Sequence, residues 1–109
     1  MSDYDRRQYK MMLELLNAFD ARIVGLHKII ADLEALLLLL QDTDKVWRNE
    51  FYKQWAMLED VYADALDKGF KQLPPDPQKL VEDAIQGLRQ LVEERIDTTA
   101  DTESGDATP

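Results

Sequence analysis

The sequence predicts an all-α fold, and three observations carry that expectation. Apolar residues recur every three or four positions along the first forty residues, the interiors of the periodic segments lack proline, and no segment alternates with period two. Asn-Gly and Asp-Gly turns between β-branched runs are also missing. The expected architecture is an antiparallel bundle of three helices with a long first helix, completed by dimerisation.

The first helix is expected over residues 4–41. Its seam runs Tyr9, Met12, Leu16, Phe19, Ile23, Leu26, Ile30, Leu33, Leu37 and Leu40, alternating steps of three and four over more than four heptads. Leu15, Ile29 and Leu36 widen the stripe, and Leu36 to Leu40 is an unbroken leucine run. A helix so apolar must be covered on several sides. Gly25 marks a bend or a close helix contact within it. Asp42, Thr43 and Asp44, all good capping residues, then make a tight reversal.

The second helix is expected over 44–68, with Trp47, Phe51, Trp55 or Gln54, Leu58, Tyr62 and Ala65 at helical spacing and Gly69 as its terminator. Pro74 and Pro75 interrupt the connection after it, and Asp76-Pro77 pairs a cap residue with a proline suited to a first helical position. The third helix, 77–96, presents Val81, Ile85, Leu88, Val92 and Ile96. Residues 97–109 carry four carboxylates, no base and no large apolar side chain, and are expected to form a disordered acidic tail. The domain is therefore 1–96.

At 1.5 Å per residue these helices differ in length, and the first overhangs the second. Tyr9, Met11, Met12, Leu13 and Leu16 would then lack cover within one chain. Either the first helix breaks near Asp20 to Gly25 and folds back as a fourth, or the overhang packs on a second copy. The unbroken heptad and the prevalence of symmetric dimers favour the homodimer, with Tyr9, Met12, Leu13 and Leu16 as its interface.

Composition excludes much chemistry. The 109 residues contain no cysteine and one histidine, which removes disulfides, thiolate catalysis and most metal and triad sites, and suits a reducing, cytoplasmic compartment. A net charge of −9 disfavours nucleic acid and anionic membranes. No apolar stretch reaches the roughly 20 residues that span a bilayer, and the polar N-terminus does not look like a secretion signal. His27 has Asp20 and Glu34 seven residues to either side, about 10 Å apart along a helix, which suits a solvated edge histidine better than a ligand. Neither a metal nor a cofactor is expected, and an enzyme using Glu34, His27 and Asp60 across helices has little behind it.

What remains is a concentration of acids and aromatics on the second helix. Asp60, Asp64 and Asp67 are like-charged neighbours at four and three residues, an arrangement that costs a few tenths of a kcal/mol per pair. With Glu59 they form an acidic face, partly balanced by Lys53 and Lys68. Five aromatics on one helix exceed a single stripe, so Tyr52 and Trp55 are expected beside the acids as anchors with a charged rim. The plainer alternative is a solvated acidic face over a core of aromatics.

The segment Asp32-Leu33-Glu34-Ala35-Leu36, then Trp47, then Trp55-Ala56-Met57-Leu58-Glu59-Asp60-Val61-Tyr62-Ala63-Asp64-Ala65-Leu66-Asp67 resembles small acidic helical bacterial proteins. These include uncharacterised reading frames and immunity proteins encoded beside polymorphic toxins. The resemblance covers residues 29–95 and carries no catalytic residue. It implies a soluble cytoplasmic inhibitor that binds a toxin domain through an acidic surface. The expected function is thus a non-enzymatic protein-binding module, an immunity-type or regulatory antagonist of a basic partner, contacting it through Tyr52, Trp55, Glu59, Asp60 and Asp64. The alternative is a self-associating structural bundle.

Overall fold

Four helices follow one another: α1 Asp3–Asp20, α2 Leu26–Leu39, α3 Lys45–Lys68 and α4 Pro75–Ala107. This computed structural model describes residues 2–96 in full and the backbone of α4 as far as Ala107; the expectation of a disordered tail over 97–109 lies outside the fully described residues. All the regular elements among the described residues are helical, as the periodicity predicts. The long first helix, however, is two helices.

The break has a local cause and a larger reward. After Asp20 the chain closes α1 with paired reverse hydrogen bonds, Ile23 N–H to the Ala18 carbonyl (2.8 Å) and Arg22 N–H to the Phe19 carbonyl (3.0 Å), around Arg22 in the left-handed region at φ 61°. Ile23 and Val24, both β-branched, then lead to Gly25, whose extended backbone starts α2. A left-handed arginine costs about 1–2 kcal/mol. In return Tyr9, Met12 and Leu16 become fully buried within their own chain, and burial of each such side chain contributes about 1.5–3 kcal/mol. Folding back therefore wins. The expectation that Tyr9, Met12, Leu13 and Leu16 form a dimer interface is corrected accordingly: three are core and Leu13 is half-buried against that core. No overhang of α1 remains among the described residues.

The other helix starts and the end of α3 lie close to the sequence expectation, whereas α4 runs on to Ala107, past the expected end at 96. Ser2 caps α1, its Oγ accepting from Asp5 N–H at 3.1 Å. Asp44 caps α3, its carboxylate accepting from Trp47 N–H at 2.7 Å. Gly69, at φ 68°, ends α3 with the same pair of bonds that Arg22 makes after α1: Phe70 N–H to Ala65 and Gly69 N–H to Leu66. Helix α4 starts at Pro75 rather than Pro77. Both prolines fit its first turn, where backbone N–H groups have no intrahelical acceptor.

Each helix packs on the next, and α4 returns beside α1, while the backbones of the diagonal pairs stay farther apart. The result is an up-and-down four-helix bundle. Its core is filled by Tyr9, Met12 and Leu16 from α1, Ile29, Leu33 and Leu37 from α2, Phe51 and Leu58 from α3, and Ile85, Leu88 and Val92 from α4. Helices α3 and α4 come close at Gly87, where an added Cβ would stand 2.9 Å from the Gln54 side chain.

Candidate functional site

Helix α3 distributes its side chains around three surroundings. Trp47, Phe51, Leu58 and Val61 are buried. Gln54 lies against α4 at Gly87, whereas the Trp55 indole N–H donates to the Ile30 carbonyl of α2 at 2.8 Å. At 100° per residue, these two contacts fix which flank faces which neighbour. Tyr52, Trp55 and Glu59 share the flank toward α2. Asp60, Asp64 and Asp67 point to solvent, with Asp60 and Asp64 turned toward the α4 side. The five expected contact residues therefore occupy two adjoining strips, not one face.

The α2 flank is an ordered aromatic edge. Tyr52 stands edge-on to Trp55 (5.8 Å between centroids) and to Phe51 (6.4 Å). Tyr62 lies parallel to His27 of α2, 5.3 Å away and tilted by only 5°. The histidine expected at a solvated edge is exposed, but its ring covers a tyrosine. Tyr52, Trp55 and Tyr62 are half-buried, so each offers one side to a partner from a fixed position.

The solvent strip is acidic. Asp64 pairs with Lys68 at 3.1 Å and Glu50 with Lys53 at 2.9 Å. Glu59, Asp60 and Asp67 are exposed and have no cation within ion-pair distance among the described residues. Carboxylates so placed can accept hydrogen bonds and ion pairs from lysine or arginine. No group of three His, Asp or Glu side chains among the described residues could hold a metal ion.

A second polar cluster, which the sequence pattern did not reveal, sits where α2 turns into α3. Asp5 is fully buried, and its two carboxylate oxygens accept from Gln41 N–H and Asp42 N–H, both at 2.9 Å. Ser2-x-x-Asp5 has the form of a capping box, but the acid reaches across to the loop instead of back to its own cap. Asp44 pairs with Arg95, whose guanidinium lies 5.1 Å from the Trp47 ring centre. The Trp47 N–H and then Arg95 hold the Asp44 carboxyl below the usual carboxylate range. The Trp47 indole donates to the Leu91 carbonyl at 3.0 Å, and Tyr9 meets the Trp47 ring edge-on at 5.5 Å. The Tyr9 hydroxyl is buried without a hydrogen-bond partner among the described residues, and burial pushes its pKa up. These residues clamp one end of the bundle.

At the opposite end, an open groove of about 740 Å³ lies between the α1–α2 and α3–α4 connections. Phe19, Val24, Leu26 and Leu73 line it with Arg22 and Lys71 at its rim. It gathers no nucleophile beside a base. Comparison with protein-family models, curated proteins and solved structures gave no match to this chain. Among the described residues, no helix is long and apolar enough to cross a membrane.

Proposed function

We propose that this chain is a non-enzymatic protein-binding module that engages a basic partner protein through α3, as an antagonist of the immunity or regulatory kind, acting in the cytoplasm. The observation that carries this reading is the juxtaposition on α3 of uncompensated carboxylates, Glu59, Asp60 and Asp67, with the half-buried aromatic edge of Tyr52, Trp55 and Tyr62. Carboxylates without internal partners leave their charge uncompensated for steering, and the aromatics supply contact area already positioned by α2, for Trp55 and Tyr62, and by Phe51 and Trp55, for Tyr52. Because the acids and the aromatics lie on adjoining strips, the partner must wrap the edge of α3 from its solvent face toward α2.

The test is affinity capture from the native lysate with wild type and with an Asp60→Lys/Asp64→Lys variant of unchanged helical content. A basic protein retained by the wild type and lost by the variant supports the reading and identifies the partner. Equal retention by both moves the contact away from α3.

A further inference from the structure

Helix α2 is apolar on nearly every side, yet its backbone neighbours among the described residues are α1 and α3. Ala31, Ala35, Leu38 and Leu39 are left exposed, Leu38 by 64% and Leu39 by 48%. Lys28, Ala31, Ala35 and Leu38 repeat at steps of three and four, the spacing of a helix-helix seam. This outer seam is separate from the inner one formed by Ile29, Leu33, Leu36 and Leu40, all buried.

Helix α1 extends the strip. Asn17 and Asp20 turn toward Arg89 of α4, so Met11, on the opposite flank of α1, borders α2. The bonds from Gln41 and Asp42 to Asp5 set the antiparallel register, which puts Met11 level with Ala35 and Leu36. Met11 is 47% exposed.

We infer that this strip is where a second copy of the chain docks, α2 against α2 in antiparallel sense about a two-fold axis near Ala35. The charge pattern selects that occupant. The rim of the strip carries both signs, Arg7, Lys28, Glu14 and Asp32, where the exposed half of α3 from Glu59 to Asp67 carries only acids. A two-fold contact must be self-complementary. With the axis at Ala35, level with Met11, Arg7 of one copy stands within about one helical turn of Glu14 of the other, so exposed opposite charges meet on both sides of the axis. Leu39 then stands level with Ala31, a large side chain against a small one. This contact differs from an α1 overhang and does not depend on what α3 binds.

Sedimentation equilibrium of the full chain over a concentration series is the test. The mass average is expected to rise from one chain toward two. Leu38→Glu with Leu39→Glu, both at exposed positions, leaves the helical circular dichroism unchanged and raises the dissociation constant about tenfold or more. Arg7→Glu and Glu14→Arg, both at exposed positions, each weaken association, and together they restore it. The Asp60→Lys/Asp64→Lys variant dimerises like the wild type, which separates this contact from α3. A wild type that stays monomeric to its highest soluble concentration overturns the inference. So does a dimer that survives the leucine replacements.

Discussion

Tyr9 and Asp5 show how differently two buried polar side chains act. The Tyr9 hydroxyl is buried without a partner among the described residues, so Tyr9→Phe removes an unsatisfied group while keeping the ring against Trp47; stability by urea denaturation is expected to stay level or rise by up to about 1 kcal/mol. Its ionisation follows the same cause. Burial raises the folded-state pKa above the ordinary 10.0, so the folded chain prefers the protonated phenol. Its stabilising share is complete below pH 10 and is lost as pH rises through the folded value. Wild type is therefore expected to lose stability above pH 10, and Tyr9→Phe to flatten that loss. Asp5 is the opposite case. Its carboxylate satisfies two loop N–H groups, and Asp5→Ala strands both, costing about 2–3 kcal/mol with the denaturant slope unchanged. Asp5→Asn, keeping one acceptor oxygen, should fall between.

The same helix-ending turn occurs twice, with Gly69 after α3 and Arg22 after α1. At Arg22 the left-handed backbone costs about 1–2 kcal/mol, and glycine would return roughly 0.4–1 of that as added freedom of the unfolded chain. Arg22→Gly is therefore expected to stabilise by about 0.5–1 kcal/mol in thermal or urea unfolding; a loss would mean that the guanidinium holds the turn. This turn is also where the sequence misleads. The heptad from Tyr9 to Leu40 stays in phase across the break because Ile23 falls on the seam, yet Ile23 is 77% exposed. Periodicity reports that two segments each have an apolar stripe, not that one helix joins them. The β-branched pair before Gly25 and the unmatched helix lengths were the legible signs of a reversal, and they outweigh the phase. The caps at Asp44 and Gly69 were readable because their bonds are local. The hold of Asp5 on Gln41 was not, since 36 residues separate donor and acceptor. On α3, the outward direction of Asp60 and Asp64 follows from helical spacing against Leu58. The separation of Tyr52 and Trp55 onto another strip does not, because it depends on which neighbour stands on each side.

For the whole molecule, charge gives the two proposed contacts opposite responses to salt. Two copies of net charge −9 with centres about 25 Å apart repel by about 13 kcal/mol unscreened in water. A Debye length of about 30 Å at 0.01 M leaves a large share of this, whereas about 8 Å at 0.15 M removes most of it. The Arg7 and Glu14 contacts on the two sides of the axis are exposed and contribute at most about 1 kcal/mol each, so screening of the repulsion outweighs screening of the pairs. Self-association through α2 is accordingly expected to strengthen as salt rises over that range. Binding of a basic partner to α3 runs the other way, since salt screens the attraction that steers the encounter. Asp60→Lys/Asp64→Lys moves the net charge from −9 to −5 and places both changes on the contact. It should slow association about tenfold or more at low salt and flatten the dependence of rate on ionic strength, while leaving the salt dependence of self-association positive. Stopped-flow association with the captured partner and sedimentation equilibrium of the chain alone, each at 0.01 and 0.15 M salt, read the two signs independently. A partner rate that does not change with salt would remove charge from the α3 contact, and self-association that weakens with salt would mean that ion pairs, not the apolar strip of α2, hold the copies together.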